Sequence, residues 1–131
     1  MSTNHSLVII DAGVSNLEQV IQNLPEGTQW VVLEKSTDGV QQIVEILKNY
    51  ENLDNIQIIS HGDAAELHLG SSVISQKNLE FYEESFAQIG ESLSPTGDLL
   101  FYGCNVAEGT EGEAFVNRIS QYSGAGVSAS S

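Results

Sequence analysis

Ile56-Gln-Ile-Ile-Ser-His-Gly62 and Asp98-Leu-Leu-Phe-Tyr-Gly-Cys-Asn105 are built alike. Each is an apolar, β-prone run that ends at a small residue beside a base or a nucleophile, and each is followed at once by polar, Gly-containing sequence. The pattern predicts strands that end at His61 and Cys104. In an open α/β sheet, ligands bind in the crevice beyond the carboxyl ends of the strands. A thiol and an imidazole delivered to that edge can form a thiolate and imidazolium pair.

Working outward, the remaining segments alternate between strand and helix patterns. Leu7-Val-Ile-Ile10 is a continuous apolar run, as expected of a strand buried on both faces, and Asp11-Ala-Gly-Val leaves it. Ser15 with Glu18 reads as a capping box for a first helix with Leu17, Val20, Ile21 and Leu24 on its apolar stripe, stopped by Pro25 and Gly27. Trp30–Leu33 is the second strand. Asp38 with Gln41 repeats the capping pattern before Val40, Ile43, Val44 and Leu47. Strand three spans Ile56–Ser60.

Beyond it, Glu66-Leu-His-Leu-Gly70 alternates like one arm of a small hairpin completed near Val73-Ile74, an insertion outside the main sheet. Leu79, Tyr82, Phe86, Ile89 and Leu93 space a long third helix closed by Pro95 and Gly97, and Leu99–Tyr102 is strand four. Thr110 with Glu113 is expected to cap a fourth helix carrying Phe115, Ile119 and Tyr122, before a fifth strand at Gly126–Ala129. Strands alternating with helices call for a mainly parallel sheet with helices on both faces, a three-layer α/β sandwich. The economical strand order is 2-1-3-4-5, with the hairpin inserted after strand three. That order brings Asp11, His61 and Cys104 to one edge.

Composition narrows the function. The 131 residues, 40% hydrophobic, fit one domain spanning 1–131. Four Lys or Arg against 18 Asp or Glu give a net charge of −14, which argues against nucleic acid and anionic membrane surfaces as partners. No run approaches the roughly 18 apolar residues of a membrane span, and no secretory leader is visible. The single cysteine excludes an internal disulfide. One Cys and three scattered His lack paired ligand spacing, so no metal and no other cofactor is expected. Gly109 and Gly112 lack the rest of a phosphate loop and stand among Glu108, Glu111 and Glu113.

Ser60-His61-Gly62 and Tyr102-Gly103-Cys104 resemble the catalytic signature of the caspase, gingipain, legumain and metacaspase clan of cysteine peptidases. The whole chain resembles more closely the bacterial domain of unknown function 4347 family. That resemblance rests on Asp38-Gly39, Ile59-Ser-His-Gly62, Leu100-Phe-Tyr-Gly-Cys-Asn-Val-Ala107 and the Ser-Gly-Ala-Gly-Val-Ser-Ala-Ser ending. It implies a caspase-like fold and a piece near the N-terminus of a larger secreted surface protein. An extracellular or cell-surface setting follows from it, while composition alone fits a cytoplasmic protein equally.

The clan's roles, carried onto this chain, make Cys104 the nucleophile and His61 the base and later the acid. Backbone N–H groups of Gly62 and Cys104 would face the oxyanion. Asp11 at the first strand's end would line the pocket before the scissile bond, reading Arg or Lys, with a surface turn acid as the alternative. The substrate implied is a peptide or protein, the parent chain among the candidates. A non-catalytic docking or assembly module is the other reading. Asp38 reads as a helix cap, Asp63 as either a partner of His61 or a solvated acid, and His68 as outward on the hairpin arm.

Overall fold

A computed structural model describes residues 6–63, 65–102 and 105–130 of the chain. Five strands form the main sheet: β1 (Ser6–Asp11), β2 (Gln29–Leu33), β3 (Leu53–Ile59), β7 (Leu93–Tyr102) and β8 (Gly126–Ser130). Their order is β2-β1-β3-β7-β8, every pair parallel. This is the 2-1-3-4-5 arrangement expected from the alternating pattern. A second sheet, β4 (His61–Asp63), β5 (Glu66–Leu69) and β6 (Ser72–Ser75), is antiparallel and follows β3 directly. The insertion therefore has three strands, and its first strand begins at His61.

The helices are α1 (Leu17–Gln22), α2 (Gly39–Leu47), α3 (Glu83–Glu91) and α4 (Gly109–Ser123), with a 3₁₀ turn at Leu79–Tyr82 leading into α3. Right-handed crossovers put α1 on one face, because β1 to β2 steps one way across the sheet. The later crossovers step the other way and put α2, α3 and α4 on the opposite face. Those three helices pack side by side. The apolar core lies between them and the sheet: Leu7, Ile9, Ile56, Ile58, Leu99 and Phe101 meet Val40, Ile43, Phe86, Ile89, Phe115 and Ile119. Leu67, Leu69 and Ile74 of the small sheet join the same core. The three layers are unequal, since α1 contains no fully buried residue.

Several local expectations change. Asp38 does cap α2, its Oδ1 accepting from the Val40 N–H at 2.9 Å, but Gln41 Nε2 donates to Ser85 Oγ instead of returning to the cap. No side chain caps α1, whose N-cap residue is Asn16 and not Ser15. A turn with the Val14 N–H donating to the Asp11 carbonyl precedes it. Likewise α4 starts at Gly109 after an uncapped Glu108, one residue before Thr110. Leu93 is a strand residue opposite Leu53, not the last turn of α3. Ser94 precedes Pro95, and that position disfavours helical backbone, so the chain is already extended there.

Candidate functional site

Asp11 is the last residue of β1, opposite Leu33 of β2, and it is 2% exposed. A carboxylate so buried needs partners. Its Oδ1 accepts the Gly70 N–H at 2.6 Å and its Oδ2 accepts the Gly13 N–H at 2.9 Å. Asp11 is therefore not the surface turn acid of the alternative reading. Gly70 lies in the turn between β5 and β6, so Asp11 ties the edge of the main sheet to the small sheet. The same turn is held by the Ser71 N–H donating to the Thr37 carbonyl and by a bridge between Asp38 and Gly70. Gly70 has φ +59°, and a Cβ there would collide with the Thr37 carbonyl, so only glycine fits.

His61 opens β4 above this tether. Its Nε2 stands 3.9 Å from Asp11 Oδ2, an ion-pair separation when the ring is protonated and too long for a hydrogen bond. Gly13 makes the approach possible: a Cβ on it would lie 2.7 Å from His61 Nε2 and 2.8 Å from Asp11 Oδ2. The ring is half open to solvent, with 52% of the side chain exposed. Across the strands His61 faces His68, their ring centroids 4.9 Å apart at an interplanar angle of 38°. His68 Nε2 in turn is 2.8 Å from Glu66 Oε1. His68 does lie on the outward face of the small sheet. What the sequence did not reveal is that it stacks beside His61; the period-2 alternation of β5 was the available signal, but β4 opposite it carries no strand signature.

Gly62 lies within β4, opposite Leu67, and not in a loop after a strand. The side chain of Asp63 lies outside the described residues. So does Cys104, together with Gly103 and Ala64. The described residues on either side of Cys104 are tied to those that flank His61. The Ser60 N–H donates to the Tyr102 carbonyl at 3.3 Å, and the Ala65 N–H donates to the Val106 carbonyl at 3.0 Å. Ala65 and Asn105 both have positive φ, 58° and 49°, an uncommon backbone for such residues, so both bends are held by their surroundings. Ser60 is buried beneath this crossing, and its Oγ has no hydrogen-bond partner among the described residues.

The family follows from the same span of chain. A family model described as "Domain of unknown function (DUF4347)" matches residues 7–131. The chain belongs to the DUF4347 family. Searches of curated proteins and of solved structures found no match to it.

Other features of this DUF4347 domain do not converge on His61. Among the described residues no group of three or more His, Cys, Asp or Glu is gathered as metal ligands, and no helix is long and apolar enough to cross a membrane. A depression of about 480 Å³ lined by Pro95, Gly97, Asp98 and Gly126 lies at the starting ends of β7 and β8, the opposite edge from His61. Tyr82 sits at the junction into α3, its hydroxyl donating to Asp38 Oδ2 at 3.0 Å. Burial pushes its phenol above the usual value, and the Asp38 carboxylate adds to that.

Proposed function

We propose that this domain is a cysteine endopeptidase of the caspase-like kind, with Cys104 as nucleophile and His61 as general base and acid. The thiolate attacks the scissile carbonyl carbon, the C–N bond breaks, and the amine departs with a proton from His61. Water then hydrolyses the thioester. Backbone N–H groups of Gly62 and Cys104 are the proposed oxyanion donors. The observation that carries the reading is the pair of backbone hydrogen bonds, Ser60 to Tyr102 and Ala65 to Val106, which tie the segment bearing His61 to the segment bearing Cys104.

Asp11 takes a positioning role in this proposal. Its Oδ2 stands 3.9 Å from the imidazole Nε2, and its role is to hold the ring in place. Its two oxygens already serve backbone N–H groups, so a preference for basic residues is assigned to the acidic surface, net −14, and not to Asp11. The parent chain is one candidate substrate.

Incubating the protein with matched Arg, Lys, Asp and Leu fluorogenic peptides tests the proposal. Cleavage lost in both Cys104→Ala and His61→Ala supports it. Cleavage that survives either change, or no cleavage of any substrate, refutes it. The alternative, a non-catalytic docking module, is favoured by one observation, the exposed apolar side chains of Val73 and Phe81.

A further inference from the structure

The inner face of the small sheet is spent on the core, through Leu67, Leu69 and Ile74. On its outer face, His61 has 52% and His68 30% of the side chain exposed. Side chains alternate across a strand, so the residues between those three point outward. His61, His68 and Val73 are directly opposite one another across the three strands and form one continuous row. Val73 is 46% exposed. Past the sheet, Asn78 links Val73 to the next turn: its side-chain amide donates to the Val73 carbonyl, and its backbone carbonyl accepts the Phe81 N–H. Phe81 follows on the 3₁₀ turn, 81% exposed.

We propose that this outer face, from His61 across His68 to Val73 and Phe81, docks an extended basic polypeptide segment that places a bulky apolar side chain against Val73 and Phe81. Two observations select the occupant. Large exposed apolar side chains next to a ring pair offer a flat contact for an aliphatic or aromatic residue. The segments that build this face carry Glu66, Glu80, Glu83 and Glu84 against Lys77, with Arg118 held on Gln76 just past β6, in a chain of net charge −14, so a cationic segment is attracted and a second copy is repelled. The docking holds whether or not Cys104 is reactive. Where the peptidase reading also holds, the row starts at the residue that protonates the departing amine, so the docked segment lies on the leaving-group side.

The test uses the full chain carrying Cys104→Ala, so that no probe is cut, and short fluorescein-labelled peptides of alternating Arg and Leu, Arg and Ser, or Glu and Leu. Fluorescence anisotropy should rank Arg-Leu tightest, with Arg-Ser roughly fivefold or more weaker and Glu-Leu not bound. Val73→Ser and Phe81→Ser should each weaken Arg-Leu binding by a similar factor and leave Arg-Ser binding unchanged. Amide shifts on binding should fall in residues 61–63, 66–69, 72–75 and 79–82. Equal binding of the two Arg peptides, binding unchanged in either variant, or shifts centred elsewhere would overturn the proposal. So would a dimer abolished by Phe81→Ser, which would assign the face to a second copy. Absence of cleavage by the wild type, with this binding intact, would remove the peptidase reading alone.

Discussion

Replacing Asp11 by Ala should cost this protein about 3–5 kcal/mol of stability, out of the roughly 5–15 kcal/mol typical of a domain. The figure follows from the two N–H groups that the carboxylate serves, Gly70 at 2.6 Å and Gly13 at 2.9 Å. Hydrogen bonds to a charged group contribute about 1.5–3 kcal/mol each, and a buried donor left without an acceptor costs about 1–3 kcal/mol. Asp11→Asn keeps one carbonyl oxygen and turns an amide N–H toward the other donor, so its loss should be smaller, about 1–3 kcal/mol. Urea denaturation reads both values. At an m-value near 2 kcal/mol/M the Ala variant's midpoint falls by roughly 2 M, with the slope unchanged. Amide exchange at Gly70 should accelerate before exchange in β3 does, because the tether to the small sheet is what has been cut. A loss below about 1 kcal/mol in the Ala variant, or unaltered protection at Gly70, would refute the tether.

Gly13→Ala perturbs both the base and the tether. The added Cβ meets His61 Nε2 at 2.7 Å, where the half-exposed ring can swing away, and Asp11 Oδ2 at 2.8 Å, where the buried and hydrogen-bonded carboxylate cannot, so denaturation should show a loss of about 1–3 kcal/mol while Cys104 alkylation slows several-fold. Unchanged alkylation would show that the ring's place behind Gly13 does not matter. For Tyr82 the sign is set by the raised phenol. The folded state holds its proton more tightly than the unfolded state does, so the contribution is complete below about pH 10 and is lost as pH rises through the folded value. Tyr82→Phe should therefore lose less stability than wild type as pH rises above about 10, measured by urea midpoints, and parallel curves would exclude the effect.

The main sheet was legible because its cues are local and repeated. Continuous runs such as Leu7–Ile10 and Leu99–Tyr102 alternate with amphipathic segments, and crossover handedness leaves few arrangements. The Asp38 cap was legible for the same reason, since donor and acceptor are two residues apart. The small sheet was only half legible: β5 alternates, but His61-Gly62-Asp63 has no β-branched or aromatic residue and becomes a strand only through its pairing with β5. Nor could spacing show that Asp11 serves Gly70, 59 residues away. That bond depends on the turn after β5 meeting the end of β1. The boxes at Ser15 and Thr110 fit the local pattern, yet α1 begins after Asn16 and α4 after Glu108, neither with a side-chain cap. Leu93 kept a helical spacing while Pro95 had already committed the backbone to β7.

The most direct test of the central claim is the rate at which Cys104 reacts with a thiol alkylator at about pH 6, compared with free cysteine and with the His61→Ala variant. Only an activated thiol is substantially ionised at that pH. A base held beside Cys104 predicts that the wild type reacts faster than free cysteine by roughly tenfold or more, and that His61→Ala abolishes the difference while remaining folded. A wild-type rate at or below that of free cysteine, or a fast rate that survives loss of His61, would contradict it.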